Sequence, residues 1–198
     1  MSSPAPLPGH YARTVRAFVR LGLAGIAAGM ILGIWWTEVR QTIAYTPGAP
    51  SQVERKGSRV RLELPPGYHF EAGLKLKLSH GHSTLILGVL PLCFALCLTL
   101  AHSLGGPPLS PGMLRAAFWC YAVGAVGTVG IMIYRGAASL AAIRAGNFDY
   151  QAVQQDLFAG SRALKGALYG TTHSLLAVGA GILIYGLWRA MRPPEPTA

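Results

Sequence analysis

Three histidines and two arginines in this chain have the types and spacing to bind a ligand. His80 and His82 stand two apart in SHGHSTLILG, at the front of a long uncharged run. His173 lies in GALYGTTHSLLAVG and Arg135 in IMIYRG, with Arg40 following WWTEV. Neutral imidazole ligates zinc, copper and iron. An imidazole in an apolar segment is costly without a partner, so the plain reading of each is an interhelix hydrogen bond or a headgroup contact. Three on one membrane face also suit a bound cofactor. On a helix, residues two apart point about 200° apart, so His80 and His82 do not both face inward if both are helical. His82 is the deeper and the better placed. His173 sits at a similar depth in its own helix, and such a pair grips a haem b edge-on. Arg135 or Arg40 would then neutralise the propionates. The competing site is a chelate of copper or zinc by His80, His82 and His173. No acidic residue interrupts the apolar runs, which excludes a carboxylate-rich di-iron site.

These residues are positioned by membrane spans. The stretch 78–104 has no charge, and about 20 residues of helix cross a hydrocarbon core. Similar runs occupy about 18–37, 116–134 and 166–188. The 198-residue chain is 52% hydrophobic and 12% charged, against about 25% charged in soluble domains. The expected fold is a single all-α membrane domain, 1–198, forming a four-transmembrane-helix bundle. Trp35 and Trp36 suit an interfacial aromatic belt, and the first span is read as uncleaved. Pro91 should kink the second span. Gly124, Gly127 and Gly130 offer a small-residue packing face. Cys93, Cys97 and Cys120 lie in apolar runs and read as small residues at helix contacts.

The polar loops are 38–77 and 135–165. In the first, RVRLEL at 59–64 alternates like a strand, and 68–77 would pair back on it across Pro65-Pro66-Gly67 as a small hairpin. In the second, two short interfacial helices are expected around a break at 147–149. Consecutive spans reverse direction, so Glu38, Arg40, His80, His82, Arg135 and His173 share one membrane face. His102 lies about 30 Å from that face at 1.5 Å per residue. His10 reads as a solvated tail residue, and His69 as a loop residue.

The net charge of +10 is ascribed to loops meeting anionic lipid. No basic stripe with interleaved aromatics indicates nucleic acid. No triad, P-loop or HExxH is present, so an enzyme is not expected. The expected location is a bacterial inner membrane with cytoplasmic termini. That side would carry Arg13, Arg16, Arg20, Arg115, Arg189 and Arg192, and the two longer loops the other basic residues.

The spans also resemble a family of small four-span bacterial membrane proteins known as a domain of unknown function. The resemblance rests on SHGHSTLILG, on FWCYAVGAVGTVGIMIYRG, on GALYGTTHSLLAVG and on the first-span run LGLAGIAAGMILGIWWTEVRQ. It implies His80, His82, Arg135 and His173 as signature positions and carries no activity. The second span is also similar to haem-ligating helices of haem–copper oxidase-type proteins. Function is therefore expected among three classes. The first is a haem b or metal protein for electron transfer or redox sensing. The second is a non-enzymatic accessory subunit of a larger membrane complex, meeting other subunits through the 38–77 and 135–165 loops and binding no cofactor. The third is a small transporter or quinone-binding protein.

Overall fold

In hydrocarbon every backbone N–H and C=O must be satisfied within its own segment, so the apolar runs form helices. A computed structural model describes residues 6–44, 53–56, 59–62, 71–145, 147 and 150–192. Its elements are α1 (Gly9–Thr42), β1 (Ile43–Ala44), β2 (Val53–Lys56), β3 (Arg59–Leu62), α2 (Glu71–His82), a π-helical segment (Ser83–Val89), α3 (Leu90–Ser103), α4 (Pro111–Arg144), α5 (Tyr150–Asp156) and α6 (Arg162–Ala190). Among the described residues, four helices are long and apolar enough to cross a membrane: Gly9–Trp36, Lys75–Ser103, Pro111–Ala142 and Arg162–Ala190. The four-span all-α membrane fold is thus present, with longer helices than the sequence boundaries suggested.

Pro91 does not simply bend its helix. The segment before it widens into a π-helix, where the Leu90 N–H bonds the Leu85 carbonyl, five residues back. Pro91 has no N–H to give in that register. The Ile86 carbonyl, five residues before it, instead accepts a hydrogen bond from the Tyr121 hydroxyl on α4. A sequence-encoded defect is thereby satisfied by a neighbouring helix, as transmembrane prolines require.

α1 lies along the second span, and α4 packs against α2 on one side and α6 on the other. The α1 contact is a glycine notch. A Cβ at Gly22 would strike Leu92 and the Gly88 carbonyl, one at Gly25 the Leu87 backbone, one at Gly29 the Thr84 hydroxyl, and one at Gly33 the His80 ring. Such absent side chains let membrane helices approach at backbone distance. The α4–α6 contact uses the same device, with Gly124 against Leu176 and Thr172, and Gly179 against Tyr121 and Ala117. Gly127 faces Thr172, but Gly130 faces open space, because a spacing of three turns about 60° backwards each step. At the centre, Phe18 meets Phe94 and Phe118 edge-on with ring centres 5.9 and 5.1 Å apart, and Phe94 meets Tyr121 at 5.3 Å.

Several sequence expectations need correction. β3 occurs where the alternating run lies, but it pairs antiparallel with β2, Val53 opposite Leu62 and Lys56 opposite Arg59, and parallel with β1. The stretch expected to pair back is already helix from Glu71. There LKLKL reads equally as a strand, and continuity with a long span decides for helix. His69 and residues 148–149 lie outside the described residues. Among the described residues one short helix, α5, stands in the second loop, because Gly136 packs against Leu76 rather than stopping α4, and the alanine-rich 137–144 continues it. Cys93 and Cys97 are exposed on the outer face of the second span, not at a helix contact. His10 is half-buried in α1 and its Nε2 donates to the Leu109 carbonyl at 3.2 Å.

Candidate functional site

α2 ends at His82, so both histidines of the pair are helical and diverge. The ring that bonds across a helix interface is His80's, against the expectation for His82. Its Nδ1 donates to the Gly29 carbonyl of α1 at 2.6 Å, and the ring fills the space that Gly33 leaves. His82 Nδ1 donates within its own helix to Leu78 at 2.8 Å. His173 is exposed on α6; its Nδ1 donates to the Tyr169 carbonyl at 2.9 Å, and its ring stacks on Tyr169 at 5.9 Å. A carbonyl only accepts, so in each neutral ring Nδ1 carries the proton and Nε2 keeps the lone pair.

Arg135 is the hub of the best-defined polar cluster. Nε donates to Gln154 Oε1 at 2.9 Å, Nη2 donates to the same oxygen, and Nη1 donates to the Tyr169 hydroxyl at 2.9 Å. Gln154 Nε2 donates to Ser139 Oγ at 2.8 Å. The Phe158 N–H donates to the Tyr134 hydroxyl, and the Phe158 ring packs on Tyr134 with centres 5.1 Å apart. Phe158 and Ala159 take left-handed backbone angles, φ 60° and 55°, at about 1–2 kcal/mol each for non-glycine residues. Burial of Phe158 and Leu157 beside Ile131 offsets that strain. Arg135 thus clamps α5 and its following turn onto α4 and α6. Among the described residues three of its five N–H donors are engaged, two of them on one oxygen, and these acceptors are neutral.

Arg135 and His173 are linked through Tyr169, while His80 is tied to α1 and His82 to its own helix. α6 runs chiefly against α4, whereas α2 packs on α1 and α4. Among the described residues no three of His, Cys, Asp and Glu gather closely enough to hold a metal, so His80, His82 and His173 do not form one group in this arrangement. The Glu38 and Arg40 side chains lie outside what the structure describes. His102, on the opposite face, has both ring nitrogens buried without a hydrogen-bond partner among the described residues and lies against Tyr11, ring centres 5.9 Å apart.

Sequence reasoning missed Gln154 and Ser139 as members of this cluster, and Tyr169, which reads from sequence as a belt aromatic on this face, is the Arg135 acceptor. The available signal was an arginine beside a long apolar helix with a glutamine-rich short helix after it. The outer face of α6 was also missed. Thr172, Leu176, Gly179, Leu183 and Gly186 face inward on this helix, and Gly166, Gly170, His173, Ser174, Ala177 and Gly181 are outward and exposed or nearly so. A Cβ at Gly166, Gly170 or Gly181 would meet nothing. No protein family, curated protein or solved structure matches this chain.

Proposed function

We propose that this chain is a non-enzymatic integral membrane subunit that docks to another membrane protein through the outer face of α6. The observation that carries the reading is the composition of that face. A helix side in contact with lipid alone gains from large apolar groups. Here Gly166, Gly170, His173, Ser174, Ala177 and Gly181 form a small, partly polar stripe that runs up to the exposed Ile184 and Trp188. Small residues admit a second helix at close range, and hydroxyl and imidazole groups bond across such contacts. The histidines then act as hydrogen-bonding struts, as His80 does to Gly29. The short helix α5 packs on α4, the helix that α6 lies against, and on this reading it extends the partner surface. The reading includes a bacterial inner membrane with the termini cytoplasmic. Likeness of the spans to the small four-span bacterial family belongs to the same proposal.

The test is a photo-crosslinking residue at Gly170 in native membranes, with Leu96, which is 67% exposed on the second span, as the lipid-facing control. A discrete adduct from Gly170 and none from Leu96 is expected. Equal labelling from both positions would sink the proposal.

A second reading has one specific observation in its favour. His82 and His173 both present Nε2 as the lone-pair nitrogen while Nδ1–H is held by a carbonyl, and such a bond fixes the tautomer and ring orientation of histidines that ligate metals. Under this reading they hold haem b, or copper or zinc, with His80 and Arg135 in support, at a contact completed by a second helix. A reduced-minus-oxidised spectrum with metal analysis of the purified protein decides it. Absence of both a Soret band and stoichiometric metal removes the reading.

A further inference from the structure

The opposite end of the protein carries a basic groove that the docking reading does not use. It lies between the first turns of α1 and α4, has a volume of about 240 Å³, and is bordered by His10, Arg13, Thr14, Arg115, Phe118 and Trp119. Its lining is layered. Arg13 and Arg115 each stand about one turn inside their helices, at the outer edge, and Phe118 and Trp119 lie one turn deeper. Trp119 is 60% exposed, as a belt aromatic at the headgroup level is. Among the described residues neither arginine has a carboxylate beside it: the one acidic side chain described, Asp156, belongs to the other membrane face. The groove is held open by structure. His10 Nε2 bonds the Leu109 carbonyl, which fixes the start of α1 to the linker before α4. The N–H groups opening α4 add a positive end to the same space.

We propose that this groove binds the headgroup phosphate of an anionic phospholipid, with Arg13 and Arg115 as its two arms and Phe118 and Trp119 against the upper acyl chains. A guanidinium meets phosphate oxygens through paired N–H donors, and basic pockets between spans take anionic headgroups. The layering separates a lipid from a free anion. Phosphate alone would use only the upper half, whereas an acyl lipid fills both. A zwitterionic lipid leaves two cationic arms facing its own ammonium group.

The full chain in neutral detergent, stripped of lipid, is titrated with phosphatidylglycerol, with phosphatidylcholine of the same chains, and with inorganic phosphate. Retained lipid is read by native mass spectrometry and the unfolding midpoint by light scattering. Phosphatidylglycerol is expected to bind at least tenfold more tightly than phosphatidylcholine and to raise the midpoint, while phosphate at equal concentration does neither. The double variant Arg13→Gln/Arg115→Gln should lose the preference, and Arg189→Gln/Arg192→Gln should keep it. If the double variant does not fold, the two single variants are read in its place, each expected to lower the preference at least threefold. Equal affinity for the two lipids, an unchanged preference in the Arg13 and Arg115 variants, or equal protection by inorganic phosphate would each overturn the proposal.

Discussion

Replacing Arg135 by alanine should release α5 and its turn from the bundle without dissolving the bundle. The guanidinium supplies a charged donor to two acceptors, Gln154 Oε1 and the Tyr169 hydroxyl. A hydrogen bond to a charged group is worth about 1.5–3 kcal/mol, while polar contacts in bilayers average about 0.6 kcal/mol. For a half-buried side chain at the bundle edge, an intermediate value of about 1–2 kcal/mol per acceptor gives about 2–4 kcal/mol in all. At about 1.4 kcal/mol per factor of ten, amide exchange across 150–160 should rise about 30-fold to several hundredfold. Exchange at the α4–α6 contact, where Gly124 and Gly179 lock the helices, should stay unchanged. Lysine at 135 should recover part of the protection, because an ammonium lacks the planar fork. Glu at 154 should retain it by pairing with the guanidinium. Hydrogen–deuterium exchange with mass spectrometry on the full chain reads all four. Unchanged exchange at 150–160 in Arg135→Ala would refute the clamp. If the spectrum of a bound cofactor moved instead, Arg135 would be a propionate partner.

Other perturbations separate packing from docking. Gly25→Ala sets a Cβ into the Leu87 backbone and should cost about 1–3 kcal/mol as overpacking does, seen as a lower unfolding midpoint in detergent. Gly181→Ala meets nothing in the chain, so the isolated protein should hold its midpoint or gain, while the α6 crosslink in native membranes weakens. Tyr121→Phe strips the donor from the Ile86 carbonyl and should cost about 1–3 kcal/mol. Its midpoint should fall with no change in oligomeric state. His80→Ala removes the bond to Gly29. It should cost about 0.6–1.7 kcal/mol, and exchange should quicken at both Gly29 and His80 by similar factors.

The spans were legible because length and apolar content are additive along a chain. So was the shared membrane face, since alternation of spans alone puts His80, Arg135 and His173 at one end. The failures have a common origin in what periodicity leaves out. LKLKL in α2 alternates like a strand yet is drawn into helix by the span it leads. The 124–127–130 glycines look like one stripe, but a step of three rotates the third away. The glycines that do form a notch, Gly22, Gly25, Gly29 and Gly33, step by three and four and so stay on one side. The pairing of Gln154 with Arg135 was missed because it needs a fold-back after α4, of which the glutamine-rich short helix after the arginine gave a hint but no distance.

Histidine shows the limit most clearly. From residue type alone, His80, His82 and His173 are equivalent ligands. Placement divides them by what Nδ1 bonds and where Nε2 points. His80 spends its proton on another helix, so its loss is a stability event. His82 and His173 each spend it on their own helix, the usual fate of a polar side chain four residues after a carbonyl, and among the described residues Nε2 is left uncommitted. His173 is the one among them on an exposed helix face. If it ligates, the second helix that completes the contact approaches from outside α6, through the same stripe that admits a partner helix. Docking and ligation are thus ordered: a variant that blocks the stripe, such as Gly170→Leu, must abolish both. Replacing His173 by alanine would abolish ligation but only weaken docking, because Gly166, Gly170 and Gly181 still admit the partner helix.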